Sequence, residues 1–510
     1  MNRLTSAGGR YNEIPAFAFS PGNILAWQFL GVLATLLCVL ACVFQYFGLT
    51  YAVMALTYLL FPASVGMLAL LGYTRRYTAY AEVRLLAIIF AWMVFVVLVN
   101  SWRVDAALSS SWFHTVCVAT FLCFSIPYAF RFEDAKKVLT ALSVVLVIAV
   151  SLLSAAALFY ALTGRVGVSP FSADEVFGIG SDHRLRMFCH PNTVAPICGA
   201  AIVLIGYLLI KAKRLLMRIA WIVCLVLCYS ALALTDSRAG IVSTALALGF
   251  ELFLVLNVVL LRRRNASLRI LLSLFLSFVF IFAFYWGTVF IRTGCSHIIE
   301  AQTVTESVTE SVTETAAADT ATETADAEDA AAAAETAAPE DTESASSEEA
   351  ISSRGLSNAI TFNARTGIWL AVLKGLMGQR RILAFGTTPL VSGEVMAEYF
   401  PEGSPVGNFH NSLLAILIAF GIPGLILVLA FIALLFVACA RLSFRNMRDA
   451  GSLSIRIVPA VVIFALAESM MESFLFTGSM PNIVWIWFMI AAGYIFRSRR
   501  SDVAAVSACR

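Results

Sequence analysis

His410 and Asn411 stand immediately before the longest apolar run of the chain and open the pattern His-Asn-x9-Gly-Ile-Pro-Gly, which closes at Gly421 to Gly424. An imidazole at the mouth of a membrane helix is a candidate proton acceptor, because the positive end of the helix dipole works against its charged form. Asn411 could orient that ring or contact a substrate. Arg238 stands in Thr235-Asp236-Ser237-Arg238-Ala239-Gly240, a polar interval between two apolar runs. A guanidinium at a bilayer edge suits bidentate capture of a diphosphate; the plainer use is an ion pair with Asp236. Arg365 and Trp369 are four apart, so on a helix they share a face and could stack, either as a second phosphate clamp or as an interfacial anchor. One base and two cations are what removal of a group from a diphosphate would require.

A second polar cluster gathers Asp182, His183, Arg184 and Arg186 just before His190-Pro191-Asn192, where another apolar run begins. Arg184 and Arg186 are candidate phosphate or sugar contacts, with loop solvation as the alternative, and Asn192 stands at the helix entry. His183 and His190 have no Asp, Glu or Cys companions at ligand spacing, so neither a metal nor another cofactor is assigned. Carboxylates inside apolar runs are costly and mark a pathway or a polar partner. Glu251, Glu468 and Glu472 are of this kind. They would serve a transporter, or Glu468 and Glu472 could reach the outer end, where Glu472 would contact sugar hydroxyls or assist a base.

The elements that must position these groups are membrane helices. The chain has 510 residues, 60% of them hydrophobic and only 13% charged, with a mean hydropathy of +0.86; soluble domains carry about 25% charged residues. About twelve apolar stretches approach the length of a span: 24–46, 51–73, 83–99, 112–130, 138–162, 193–210, 219–234, 241–261, 270–291, 412–440, 457–477 and 483–496. The predicted fold is an all-α polytopic membrane protein, with spans one to nine over 23–291 and ten to twelve over 410–496. Most of the 35 basic residues fall on short segments of one side if both termini, 1–22 and 497–510, are cytoplasmic. The net charge of +3 then reports topology, and nucleic acid is not implied.

Function should therefore face outward, where the long loop 292–409 lies. Glu300 to Glu349 holds fifteen acidic residues and no basic one, with a Val-Thr-Glu repeat from Val304, a composition that does not build a core and predicts a disordered or partly helical solvated insertion over 300–350. After it, Asn363 to Met377 reads as a short surface helix capped by Asn363, with Ile368, Trp369, Val372, Leu373 and Leu376 on one face. Of the eleven cysteines only Cys189 and Cys295 fall on the outer face, leaving a disulfide between them open.

The Ser-Arg-Ala-Gly turn at Ser237, the Arg-x3-Trp at Arg365 and the His-Asn-x9-Gly-x-x-Gly at His410, in that order along the chain, together with the Pro-Asn helix entry at Pro191 before them, resemble the O-antigen ligase and Wzy-type polymerase superfamily of bacterial membrane glycosyltransferases. Val242 stands where the family's Arg-x3-Leu has its leucine, and the acidic insertion has no counterpart in the family pattern. The resemblance implies a GT-C-like helical fold in the bacterial cytoplasmic membrane and a metal-independent enzyme. It implies a polyprenyl-diphosphate-linked glycan as donor, a glycan, lipid or cell-wall acceptor, and a site on the extracytoplasmic face. In that scheme Arg238 and Arg365 hold the diphosphate and His410 is the base. A transporter or flippase of lipid-linked glycan is the alternative.

Overall fold

The computed structural model describes residues 81–100, 124, 127, 132–169, 172–180, 183–187, 189–260, 265–322, 363–387, 410–444, 453–472, 476 and 483–508. Among these, seven helices are long and apolar enough to cross a membrane. They are α1 (Ala81–Val99), α2 (Phe132–Thr163), α3 (Pro191–Lys211), α4 (Leu215–Leu234), α5 (Arg238–Val255), α6 (Ala266–Thr322) and α9 (Ser412–Phe444). Between α6 and α9 lie α7 (Asn363–Leu376) and α8 (Arg380–Phe385). After α9 come α10 (Leu453–Arg456), α11 (Pro459–Ser469) and α12 (Ile483–Ala508), the last with a shorter apolar part, Val484–Ser498. The predicted spans 24–46 and 51–73, and nearly all of 112–130, lie outside the described residues.

Burial sorts the helices into layers. In α3, 78% of the most apolar window is buried, against 22% in α4 and 17% in α6. Without a hydrophobic drive between helices in lipid, close approach depends on small residues. At Gly240 an added Cβ would come within 2.7 Å of the Ala195 Cβ, and at Gly199 it would strike Phe464 and Thr244. These contacts pull α3, α5 and α11 together, while α4 and α6 present Leu, Val and Phe side chains outward.

Two expectations need correction. The all-α reading misses a three-stranded antiparallel meander, β1 (Gly167–Ser169), β2 (Ser172–Ile179) and β3 (Leu185–Met187), in the loop before α3. Alternation makes it: Leu185 and Met187 are buried with Arg186 between them, and Phe177, paired with Met187, meets the Tyr160 ring of α2 edge-on at 5.5 Å. The stretch 457–477 is not one span either, since α11 stops at Ser469. Just past that end, the carbonyls of Met470, Met471 and Glu472 accept hydrogen bonds from the side chains of Asn411, Arg365 and Ser412. These side chains satisfy carbonyls beyond the helix end.

Helix α9 is broken at Gly421, whose φ of 69° and ψ of −176° lie outside the helical region. Pro423 has no N–H to give the Ala419 carbonyl. The freed carbonyls find other partners: Thr387 N–H donates to Ile418 O at 2.8 Å and Trp92 Nε1 to Phe420 O at 2.8 Å. Gly386, also left-handed at φ 71°, lies against the Ala419 carbonyl, and Gly421 against the Leu383 and Ala384 carbonyls. α8 is thus hooked into the break, which satisfies backbone groups that bare lipid could not.

Candidate functional site

Asn411 caps α9, its Oδ1 accepting from Leu413 N–H at 2.9 Å and Leu414 N–H at 3.1 Å. The residue before it, His410, is left-handed at φ 48°, an uncommon conformation for a side chain of this size. That turn sends the imidazole back toward the end of α11. There His410 Nδ1 meets Glu472 Oε2 at 2.9 Å, and Arg365, near the start of α7, places Nη2 3.0 Å from Glu472 Oε1 and Nη1 2.7 Å from Met471 O. A carboxylate only accepts, so Nδ1 is the donating nitrogen, and in the neutral ring it is Nε2 that bears the lone pair. Side-chain exposure falls from 29% at His410 and 26% at Arg365 to 12% at Glu472, so the carboxylate lies beneath both partners.

The surface helix is present as predicted, but it packs on α9. Val372 and Leu376 are buried against Ala415 and Ile418, with Ile368 alongside. Leu373 is exposed and Trp369 half-buried. Arg365 turns to Glu472. The side chain of Asn363 lies outside the described residues.

The second cluster forms around the turn between α4 and α5. Asp236 is left-handed at φ 50° and pairs with Arg292 of α6. Arg238 is the first residue of α5 and is exposed. Arg184 sends Nε to Thr235 O at 2.7 Å and Nη2 to Asn192 Oδ1 at 2.8 Å. His190 caps α3, Nδ1 accepting from Asn192 N–H at 3.2 Å, while His183 is exposed. Arg186 is half-buried on β3. Cys189 and Cys295 are not joined to each other by a disulfide. Among the described residues no three His, Cys, Asp or Glu side chains gather to hold a metal ion.

The two clusters share one end of the bundle. Gly199 of α3 lies against Thr244 of α5 and Phe464 of α11, so the first turns of α5 meet the end of α11, where Glu468 is fully buried. The starts of α3, α5 and α9 therefore converge there, and three positive dipole ends favour an anion. Glu251 lies deeper, packed against Gly206 in a pocket with Ser143, Tyr207 and Trp487.

Sequence reasoning found His410, Arg365 and Glu472 but missed that Glu472 joins the other two. The only available signal was that Glu472 falls near the outer end of its apolar run. Residues 222–429 match the family model described as O-antigen ligase. That segment contains Arg238, Arg365, His410 and Asn411 and leaves Arg184, Arg186, Asn192 and Glu472 outside. No curated protein matches the chain.

Proposed function

Taking as premise that the chain is a membrane protein of the O-antigen ligase superfamily, hence a glycosyl-transfer enzyme of polysaccharide assembly, we propose that it moves a glycan from a polyprenyl diphosphate to an acceptor hydroxyl outside the cytoplasmic membrane. The acceptor oxygen bonds to C1 of the donor sugar as the bond from C1 to the diphosphate oxygen breaks. The electron pair leaves with the polyprenyl diphosphate, and the hydroxyl proton passes to Nε2 of His410. Arg238, Arg365 and the converging helix starts bear the phosphate charge that grows as the bond opens. Asn411 holds the backbone that carries the base, while Trp369 and Arg186 border the sugar and Asn192 the entry of α3. No step calls for a metal.

The observation that carries this reading is Glu472 held between Arg365 and His410. It orients the ring through Nδ1, leaves Nε2 to take a proton, and fixes a cation beside the base. The test is purified full-length protein in lipid with a polyprenyl-diphosphate glycan and candidate acceptors, following release of polyprenyl diphosphate. His410→Ala should lower transfer by about 100-fold or more, the usual share of a general base, and Arg238→Lys should lose donor use because the planar fork is gone. Full turnover by His410→Ala removes the base. Growth of one glycan by repeats marks a polymerase, and movement of a finished chain to a different acceptor marks a ligase.

A further inference from the structure

The turn that delivers Arg238 is conformationally demanding and short. Only Thr235, Asp236 and Ser237 separate α4 from α5, and Asp236 is left-handed, a state that a residue with a Cβ does not favour by itself. Three contacts hold it. Thr235 Oγ1 accepts from Ser237 N–H at 3.3 Å, Arg292 pairs with Asp236, and Arg184 Nε donates to Thr235 O. The second prong of Arg184 reaches Asn192 Oδ1 at the start of α3. One guanidinium therefore ties the last carbonyl of α4 to the first turn of α3, and a cation at a helix C-terminus is also favoured by the dipole. Its own backbone is fixed by β3, whose Leu185 and Met187 are buried on either side of Arg186.

We propose that Arg184 is a positioning residue: it braces the Thr235–Ser237 turn so that Arg238 meets the diphosphate, without itself touching the donor. This rests on the role given to Arg238 above. Two of its five N–H donors, on Nε and Nη2, are directed to Thr235 and Asn192. A lysine could not replace it, since a single ammonium cannot hold two acceptors in a fixed fork.

The test uses the full-length protein in lipid nanodiscs, as wild type, Arg184→Ala, Arg184→Lys, Arg238→Ala and the double variant Arg184→Ala/Arg238→Ala, with two readouts. Amide hydrogen exchange needs no substrate: residues 235–241 should exchange faster in both Arg184 variants, with α9 and α11 unchanged. In steady-state transfer, Arg184→Ala should raise the donor KM about tenfold, the scale of one charge-assisted hydrogen bond, and leave the acceptor KM unchanged. In the Arg238→Ala background it should add no further loss. The proposal is overturned by unchanged exchange, by a raised acceptor KM, or by an equal loss with and without Arg238, which would mean direct donor contact. Asn192→Ala removes one prong only and should give an intermediate effect if Arg184→Ala fails to fold. A wild type that transfers nothing under any condition sinks the glycosyl-transfer reading, while exchange still decides whether the brace exists.

Discussion

Glu472 joins a base to a cation, so its replacement separates two roles. In Glu472→Gln the amide can still touch both His410 and Arg365, but the negative charge that orients Nδ1–H and offsets imidazolium during proton transfer is gone. Turnover should fall by about 10- to 100-fold, as when an orienting partner of a catalytic histidine is lost. Arg365 simultaneously loses its counter-ion, so donor KM should stay level or fall. Steady-state kinetics in donor concentration check both signs, and a raised donor KM with normal turnover would make Glu472 a sugar contact instead. His410 itself was legible from its place before an apolar run. Its partner was not, because a contact across 62 residues leaves no local pattern in the chain.

At the scale of elements, seven of the hydrophobic runs coincide with long apolar helices among the described residues, since an apolar stretch of span length has few other ways to satisfy its backbone in lipid. They failed where side chains capture backbone from elsewhere. Past the end of α11 at Ser469 the carbonyls of residues 470–472 meet Asn411, Arg365 and Ser412, and at the Gly421 and Pro423 break in α9 the carbonyls of Ile418 and Phe420 meet Thr387 and Trp92. The meander before α3 was hidden because its strands are three, eight and three residues long. The break makes its own prediction. Gly421→Ala puts a Cβ 2.9 Å from the Ala384 and Leu383 carbonyls at a positive φ, and should cost about 1–3 kcal/mol, the usual cost of such strained backbone. A thermal melt in detergent should show the lowered midpoint. Leu429→Ala, at an exposed site on the same helix, should show little change. An unchanged midpoint for Gly421→Ala would mean that α8 is not held in the break.

For the whole molecule, everything hangs on which side of the membrane holds the Arg365, Glu472 and His410 cluster. The starts of α3, α5 and α9 share its end, and the opposite end of α3 runs into Lys211, Lys213, Arg214 and Arg218. From the bias of basic residues toward the cytoplasm we propose that this opposite end faces inward and the site outward. His183 and Arg214 are both exposed and belong to opposite ends of α3, so they serve as reporters. In a cysteine-free background, a membrane-impermeant maleimide applied to intact cells should label His183→Cys and not Arg214→Cys, with both labelled once the membrane is opened. The reverse pattern would put the base in the cytoplasm and remove the outward-facing lipid-linked donor, however well the side-chain geometry fits it. Labelling of both in intact cells would place the α3–α4 turn outside as well, which α3 cannot allow if it crosses the bilayer over its 21 residues.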